Sequence, residues 1–364
     1  MADSDKKREK ADLGGKIAES LCKSYGDIMH CFDGANILIT GAGGLIGSTL
    51  VKALLHYGKY SADPAHVTAL VRNEERARGI FANELCEYSG NLELICADVT
   101  DADLTKKIVD QGAWDICRTG YIIHTAGKTA SRDFLSDPVG TIDINYLGTK
   151  NILELAKKIG IKGMAYLSSM EVYGYPQKGH KVKESDTCSL DPSKLRSCYP
   201  ISKLMCENLC LSYAKKYDLP VMTLRLSQVF GLGVNDGDMR FCDYIAGCAA
   251  KGENIILRST GETERSYIYI ADAVTAILTV LIKGEAGEIY NAANEDTYCS
   301  VKDMAQLVAS IGGINVEYDI DDKNDRGYLD TLYMNLDTSK LKSLGWRAET
   351  GLKEGFKRQV VGER

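Results

Sequence analysis

A glycine-rich turn between an apolar strand and a helix is the feature that most restricts the fold of this 364-residue chain. The predicted strand Asn36–Thr40 runs into a turn that carries Gly41, Gly44 and Gly47, and the helix Leu45–Tyr57 follows. Glycine permits the tight turn, a close approach of the backbone to a pyrophosphate, and close packing of helix on strand. The helix N-terminus adds free amide donors and a partial positive charge. The segment therefore predicts a dinucleotide cradle, with a purely structural turn as the alternative.

Strands and helices then alternate in the pattern that a parallel sheet requires. Apolar strands are predicted at 36–40, 66–71, 92–96, 121–124, 164–168 and 221–226, with helices between them. This rhythm indicates an α/β protein with a doubly wound, Rossmann-type parallel sheet and helices on both faces.

Beyond residue 232 the alternation loosens, which indicates a second and smaller α/β lobe. Helices are predicted there at 240–250, 268–282 and 301–311. In such folds ligands bind at the carboxyl ends of the strands, so we expect this lobe to close over them. We divide the chain into an N-terminal helical extension (1–33), a dinucleotide-binding domain (34–232) and a substrate lobe (233–364), with some exchange of chain between the lobes.

Two predicted helices carry an apolar face. Before the first strand, apolar residues recur at helical spacing, at Ile17, Leu21, Tyr25, Ile28 and Met29. This spacing predicts an amphipathic helix that packs on the body of the protein or on a partner subunit. The second is a long helix with Pro138 in its first turn, whose buried face is predicted to contain Ile144, Leu147, Ile152 and Leu155.

Composition and charge argue against several classes of protein. The net charge is −6 with no long basic run, which argues against a general nucleic-acid binder. The polar segment 1–10 lacks the apolar core of a signal peptide, and no stretch reaches about 20 uninterrupted apolar residues, so we expect a cytoplasmic protein without a membrane partner. The 12 cysteines are scattered, and no histidine completes a ligand set near Cys206 and Cys210, so we expect reduced thiols and no metal site.

A tyrosine and a lysine one helical turn apart, Tyr199 and Lys203, follow the fifth predicted strand. Residues i and i+4 share one helix face. A phenol with an ordinary pKa of about 10 is a poor base at neutral pH, but a nearby ammonium stabilises the phenolate. The pair therefore predicts a base that takes a proton from a substrate hydroxyl, and a hydroxyl at the end of that strand can orient the reacting oxygen.

With these motifs in place, the chain resembles the extended short-chain dehydrogenases/reductases, in particular their nucleotide-sugar epimerase/dehydratase group. The resemblance runs from about residue 35 to the C-terminus and rests on 40–47, 98–99, 124–127, Asn145, 168–174, 199–203, 225–231, 265–272 and 337–346. It implies a homodimer, a tightly bound NAD or NADP, and a nucleotide-diphosphate sugar as substrate, in work such as polysaccharide biosynthesis.

The resemblance also implies roles for individual residues. The implied catalytic residues are Ser169, Glu171, Tyr199 and Lys203. The implied cofactor-binding residues are Gly41, Gly44, Leu45, Ile46, Gly47, Arg72, Asp98, Val99, Ala126, Gly127, Asn145, Tyr199 and Lys203. The implied substrate-binding residues are Gln228, Arg240 and Arg265.

The choice between NAD and NADP depends on the end of the second strand. A carboxylate there would bind the ribose 2′-hydroxyl of NAD, but the chain has Val71, Arg72 and Asn73. Arg72 is suited to a 2′-phosphate and favours NADP slightly, with stacking on adenine or exposure to solvent as alternatives. Asp98 is placed to contact the adenine, and its alternative role is a cap at the end of a strand.

The exact reaction stays open between relatives that all begin by oxidising the sugar at C4. Glu171 and the segment 196–199 resemble UDP-glucuronate decarboxylases and sugar 4,6-dehydratases, and a carboxylate near a 4-keto sugar is suited to general-base work. Met170 stands where decarboxylases usually carry Ser and many dehydratases carry Asp, and it can neither donate a proton nor hydrogen-bond strongly, so it argues against both interpretations. An apolar residue here is closer to epimerases, although epimerases usually lack the Glu. We therefore expect C4 oxidation followed by dehydration or decarboxylation, with a 4-epimerase, an NADPH-dependent carbonyl reductase and a redox-sensing regulator as alternatives.

Overall fold

The computed structural model describes residues 13–110, 120–233, 240–320 and 331–363. The helices are Leu13–Met29 (α1), Leu45–Tyr57 (α2), Glu74–Ile80 (α3), Ala82–Glu87 (α4), Leu104–Asp110 (α5), Ser131–Ser136 (α6), Pro138–Ile159 (α7), Cys198–Tyr217 (α8), Phe241–Lys251 (α9), Ile270–Lys283 (α10), Val301–Gly312 (α11), Ser339–Ser343 (α12) and Leu352–Glu363 (α13). The strands are Asn36–Thr40 (β1), His66–Val71 (β2), Leu92–Cys96 (β3), Gly120–His124 (β4), Gly163–Ser169 (β5), Lys181–Val182 (β6), Val221–Leu226 (β7), Gln228–Phe230 (β8), Ile255–Leu257 (β9), Glu264–Tyr269 (β10), Ile289–Ala292 (β11), Asn294–Ser300 (β12), Val316–Tyr318 (β13) and Tyr333–Leu336 (β14).

The central sheet has seven strands in the order β11-β7-β5-β4-β1-β2-β3. Every neighbouring pair in it is parallel. The predicted Rossmann-type α/β fold is therefore confirmed. In this order β2 lies on one side of β1 and β4 lies on the other, so the direction of strand addition reverses at β1. A crevice opens at such a reversal, here at the carboxyl ends of β1 and β4.

Both faces of this sheet are covered by helices, because strand residues alternate between two apolar clusters. Ile37 and Ile39 of β1 belong to one cluster, with residues of α1, α2 and α10. Leu38 belongs to the other, with residues of α5, α7 and α8. Successive side chains of a strand point to opposite faces, so such a strand is apolar throughout. The burial of all five residues of β1 fits this arrangement.

The amphipathic helix predicted before the first strand is confirmed as α1, and it packs on the body of the protein. It contacts α2 and α10, and Ile17, Leu21, Ile28 and Met29 are buried. The backbone kinks at Tyr25, whose hydroxyl donates a hydrogen bond to the Arg347 carbonyl.

The predicted buried face of α7 is wrong at Leu147. Ile152 and Leu155 are buried, but the Leu147 side chain is 38% exposed and Ile144 is only partly buried. The buried face of α7 passes through Asn145 and Gly148, because a Cβ at Gly148 would lie 2.7 Å from Val99. Leu147 stands beside this face, since one residue rotates the side chain by about 100° around the helix. The homodimer implied by the resemblance stays a prediction.

A second sheet has the order β12-β10-β14-β6, with β8 added on β10, and β13 pairs with β9 in a third. β6 comes from the sequence range assigned to the dinucleotide-binding domain, whereas β11 of the central sheet comes from the range assigned to the substrate lobe. The chain thus passes between the two sheets in both directions. The predicted division at residue 232 stays a prediction.

Within the described ranges, no helix is long and apolar enough to cross a bilayer. The same ranges contain no group of three or more His, Cys, Asp or Glu side chains suited to a metal ion. Cys206 and Cys210 are buried free thiols, and Cys206 donates a hydrogen bond to the Asn145 carbonyl. Cys117 lies outside the described residues.

Candidate active site

Two glycines of the turn after β1, Gly41 and Gly47, have no room for a side chain. Gly41 has a φ of +64°, and a Cβ there would lie 2.8 Å from the Ala126 backbone after β4. A Cβ at Gly47 would lie 2.4 Å from the Gly41 carbonyl oxygen. Any larger residue would push α2 away from the turn, so the amide groups at the start of α2 would no longer face the crevice.

A cavity of about 280 Å³ occupies the crevice. Most of the residues predicted to bind the cofactor line it, namely Gly41, Gly44, Leu45, Ile46, Gly47, Arg72, Asp98, Val99, Ala126 and Gly127. No cofactor role was predicted for other lining residues, among them Asn73, Arg76, Ile80, Thr125, Thr129 and Ile144. Arg76 could have been found, since it lies in the first turn of α3, only four residues after Arg72.

The end of the cavity at β2 carries two arginines. Arg72 and Arg76 both line it, and the Asn73 side chain accepts a hydrogen bond from the Arg76 amide at 2.9 Å. The Asp98 carboxylate also lines the cavity, but its Oδ1 accepts hydrogen bonds from the Thr100 amide and hydroxyl. Asp98 therefore caps the end of β3, as its alternative role predicted, and its contact with adenine stays a prediction.

Asn145, Tyr199 and Lys203, which were also predicted to bind the cofactor, do not line the cavity, but Asn145 and Lys203 lie directly behind its lining residue Gly127. A Cβ at Gly127 would lie 3.1 Å from Asn145 Oδ1 and 3.5 Å from Lys203 Nζ. Asn145 Nδ2 donates to the Ser202 hydroxyl at 2.8 Å, whereas its buried Oδ1 has no hydrogen-bond partner among the described residues. An unpaired buried acceptor is costly, so this oxygen is ready for a donor on a bound molecule.

Lys203 and Tyr199 are both buried on one face of α8. Lys203 Nζ donates to the Leu167 carbonyl of β5 at 2.7 Å, and burial lowers the pKa of this lysine to about 8. Burial raises the pKa of Tyr199, and the charge of Glu171 raises it further. The Ser169 hydroxyl lowers the pKa of the same tyrosine by hydrogen bonding, so it lies near the phenol.

Glu171 lies in the short helical turn Met170–Tyr173 that follows β5. The Ser169 hydroxyl accepts a hydrogen bond from the Glu171 amide at 3.2 Å and caps this turn. The Glu171 carboxylate accepts two hydrogen bonds from Arg196, at 2.9 Å and 3.3 Å. Arg196 was predicted only as part of a motif, and its separation of 25 positions from Glu171 gave no signal of this pair.

Phe134 and Arg196 pack around Tyr199. The Phe134 ring stacks on Tyr199, with 4.3 Å between centroids and 9° between planes. The Arg196 guanidinium lies over Phe134 at 5.4 Å from its centroid. The positive charges of Arg240 and Arg196 both lower the pKa of Tyr199. The phenol of Tyr199 therefore has one carboxylate and two guanidinium groups in its surroundings.

The three predicted substrate-binding residues lie toward the second sheet. Arg240 lines the cavity and donates to the Thr129 hydroxyl at 3.0 Å, and it directly precedes α9. Arg265 lies on β10, and Gln228 begins the neighbouring strand β8. Burial raises the pKa of Cys242 to about 12, and the charges of Arg265 and Arg240 oppose this rise, so both arginines lie near the start of α9. Arg265 Nε is buried without a hydrogen-bond partner among the described residues.

A buried ion pair behind the catalytic candidates was not predicted. Glu207, one turn beyond Lys203 on α8, accepts hydrogen bonds from Arg225 of β7 at 2.7 Å and 3.0 Å. The Ser168 hydroxyl, beside Ser169, donates to Glu207 at 2.5 Å. The two charged side chains are 3% and 5% exposed. This pair fixes α8 against β5 and β7. Its only signal in the sequence was the position of Glu207, four residues after Lys203.

Comparison with known proteins identifies the family. The sequence profile of the NAD dependent epimerase/dehydratase family matches residues 37–293. The chain belongs to this family. The matched part contains the glycine cradle, the cavity, Tyr199 and Lys203, and an NAD-dependent family agrees with the predicted dinucleotide cofactor.

Curated relatives of the epimerase/dehydratase family carry out several reactions. A trifunctional UDP-glucose 4,6-dehydratase/UDP-4-keto-6-deoxy-D-glucose 3,5-epimerase/UDP-4-keto-L-rhamnose-reductase of Arabidopsis thaliana is 28% identical over 91% of this chain and 47% of its own length. This chain thus spans about half the length of that relative. A UDP-N-acetyl-alpha-D-glucosaminuronate decarboxylase of Bacillus cytotoxicus is 30% identical over 74% of this chain and 78% of its own.

A solved member of similar shape is a dTDP-glucose 4,6-dehydratase of Bacillus anthracis in complex with NAD. Its TM-score is 0.72 at 23% identity, over 90% of this chain and 96% of that one. At this level of identity the likeness shows the fold of the epimerase/dehydratase family and no more.

Proposed function

We propose that this protein uses a bound nicotinamide dinucleotide to oxidise the sugar of a nucleotide-diphosphate sugar at C4, and that loss of carbon dioxide or water from the C5–C6 part of the sugar follows. The observation that carries the proposal is the grouping of Ser169, Tyr199 and Glu171 at the carboxyl end of β5, beside the cavity. The dehydratase and decarboxylase activities named for the two curated relatives support it.

The residues around the cavity fit a dinucleotide. Gly41 and Gly47 permit the tight turn that brings the start of α2 to the cavity, and Asn145 Oδ1, behind Gly127, is an unpaired acceptor. Residues of the glycine turn would hold the pyrophosphate, and Lys203 would hold the nicotinamide ribose. When bound, the nicotinamide ring supplies an acceptor for the hydride from C4.

Tyr199 would take the proton of the C4 hydroxyl. Its buried phenol has a raised pKa, so the phenolate needs stabilisation from other groups. Ser169, Arg240 and Arg196 lower this pKa, and the ammonium of Lys203 on the same helix face would add to their effect. The Phe134 ring stacked on Tyr199 fixes the phenol and excludes water from one face.

Glu171 would act in the second half of the reaction. The 4-ketone makes the C5 proton acidic and also makes a C6 carboxylate a β-keto acid. The two hydrogen bonds from Arg196 hold the Glu171 carboxylate in place, and a carboxylate can accept a proton. These contacts support a general base at C5 or C6.

A panel of nucleotide sugars tests the proposal. The protein is incubated with UDP-glucose, UDP-glucuronate and their dTDP counterparts, and the products are analysed by mass spectrometry. Loss of one carbon dioxide or one water supports the proposal. An unchanged mass with inversion at C4 supports an epimerase instead, and no reaction with any member contradicts the assignment.

Exchange of Glu171 for glutamine should separate these chemistries. We expect Glu171→Gln to lower decarboxylation or dehydration by about a hundredfold or more, because an amide can neither take the C5 proton in dehydration nor pass a proton to C5 after carbon dioxide has left. The C4 oxidation made by Tyr199 should continue, and it is measured as reduced nicotinamide formed on a single turnover. If the variant slows C4 oxidation as much as the second step, Glu171 has no specific role in the second half of the reaction.

One observation favours a 4-epimerase as the second candidate. Met170 precedes Glu171, is buried, and packs in a cluster with Val172 and Tyr173. Its thioether cannot protonate a departing hydroxyl, as dehydration requires. A 4-epimerase needs no such acid.

The two arginines at β2 support a proposal on cofactor choice. Arg72 and Arg76 line the cavity, and the segment 71–73 has no carboxylate to bind the ribose 2′-hydroxyl. We propose that the site accepts NADP as well as NAD, with Arg72 at the 2′-phosphate.

Exchange of Arg72 for aspartate should therefore favour NAD. Arg72→Asp is expected to raise the ratio of the NADP dissociation constant to that of NAD by about tenfold or more, since a guanidinium–phosphate contact is lost. The ratio is measured by quenching of protein fluorescence. Arg78→Asp is the control, because Arg78 pairs with Glu74 at the surface and does not line the cavity. An equal ratio in both variants contradicts the role of Arg72.

A further inference from the structure

Arg196 has hydrogen-bonding capacity that the Glu171 pair does not use. A guanidinium has five N–H donors. Two of them are donated to the Glu171 carboxylate, at 2.9 Å and 3.3 Å. The Nε donor is buried and has no partner among the described residues. Such an arginine can bind a second anion while it still holds the first.

The position of Arg196 ties it to the reacting part of the site. Its guanidinium lies over Phe134, and the Tyr199 ring also stacks on Phe134, with 4.3 Å between the ring centroids. Its side chain is 16% exposed and that of Glu171 is 20% exposed, so the pair is partly open to a ligand. A sugar whose C4 hydroxyl meets Tyr199 and whose C5 meets Glu171 would bring its C6 group next to Arg196.

We infer that Arg196 binds the C6 carboxylate of the sugar, so the substrate is a nucleotide-diphosphate hexuronate. This inference rests on the proposed function and selects one of its two second steps. The C6 group then leaves as carbon dioxide: the bond between C5 and C6 breaks, its electron pair passes into the enolate of the 4-ketone, and a proton later returns to C5. No acid for a departing hydroxyl is needed, which agrees with Met170 beside Glu171.

A substrate with a C6 carboxylate requires a cation near Glu171. A hexuronate brings its carboxylate close to the carboxylate of Glu171, and like charges in a partly buried site repel. An arginine between them offsets this repulsion and adds charge-assisted hydrogen bonds. A neutral hexose requires no further cation, because the charges of Glu171 and Arg196 already neutralise each other. Arg196 therefore discriminates between two classes of sugar.

The test compares the affinities of UDP-glucuronate and UDP-glucose. All variants carry Tyr199→Phe, which blocks the chemistry, and dissociation constants are measured by titration calorimetry on the NAD-loaded protein. We expect Arg196→Gln to weaken UDP-glucuronate binding by about tenfold or more and to change UDP-glucose binding by less than about threefold. Arg132→Gln, on the exposed surface of α6, should change neither affinity.

A second pair of variants removes the effect of an unpaired Glu171. In a Glu171→Gln background no carboxylate remains to repel the ligand, so a direct contact is measured alone. Arg196→Gln should again weaken UDP-glucuronate by about tenfold or more in this background. Recovery of normal UDP-glucuronate affinity here would mean that Arg196 only screens Glu171, and it would overturn the assignment.

Two further outcomes keep this inference and the proposed function apart. If both sugars bind and Arg196→Gln weakens them equally, the assignment of Arg196 is wrong while the proposed function stands. If neither sugar binds the parent protein, the proposed function is wrong and the assignment of Arg196 falls with it. Arg240→Gln gives the contrasting pattern of a diphosphate contact, an equal loss for both sugars.

Discussion

Tyr199→Phe should lower turnover by about 10²–10⁴-fold and leave the affinity for NAD within about threefold. The substitution removes the oxygen that would accept the C4 proton but keeps the ring that stacks on Phe134 at 4.3 Å. The cavity does not include Tyr199 among its lining residues, so its shape should persist. Turnover is measured with the nucleotide sugar that the panel identifies, and NAD affinity by fluorescence titration.

Tyr213→Phe is the matched control for this result. Tyr213 lies on the same helix α8, and its hydroxyl hydrogen-bonds Glu154 away from the cavity. The control should keep turnover within about twofold and lose about 1 kcal/mol of stability with its hydrogen bond. Comparable turnover in Tyr199→Phe and Tyr213→Phe would remove Tyr199 from the chemistry.

The largest expected effect on stability comes from the ion pair behind the site. Arg225→Met should lower the free energy of unfolding by about 3–5 kcal/mol, because the carboxylate of Glu207 would stay buried without its cation. Glu207 is 3% exposed and keeps only the Ser168 hydroxyl among its present partners. The change is measured by urea denaturation of the cofactor-free protein.

Two companion variants show whether the unpaired charge causes this loss. The double variant Glu207→Gln with Arg225→Met should regain part of the stability, since no buried charge is left. Arg78→Met breaks a surface pair with Glu74 and should cost no more than about 1 kcal/mol. A loss in Arg225→Met as small as that in Arg78→Met would show that the buried pair does not fix α8 to the sheet.

Much of the fold could be predicted because it depends on local patterns. The bounds predicted for β1, β2, β3, β7 and α2 are those of the structure. Buried parallel strands are apolar on both faces, and the helices between them begin and end at residues with clear conformational preferences. The glycine cradle was predictable for the same reason, because a turn imposes its requirements on adjacent residues.

Contacts between segments that are far apart in the sequence were harder to predict. Leu147 and Ile144 both carry apolar side chains on α7, yet the face toward the sheet passes through Asn145 and Gly148. The choice between two apolar stripes is made by the shape of the surface on which the helix packs, here by the close approach of Gly148 to Val99. The helix pattern alone does not contain that shape.

The sequence by itself determined the strand–helix alternation, the glycine cradle and the placing of Tyr199 and Lys203 on one helix face, since each of these depends on neighbouring residues or on helix geometry. Only the tertiary structure brought Arg196 to Glu171 and Arg225 to Glu207. Ion pairs between separate elements depend on how those elements pack, and spacing along the chain does not encode it. The motif of Tyr199 and Lys203 thus indicates how the reaction begins, and the partner of Glu171 carries our inference about the sugar.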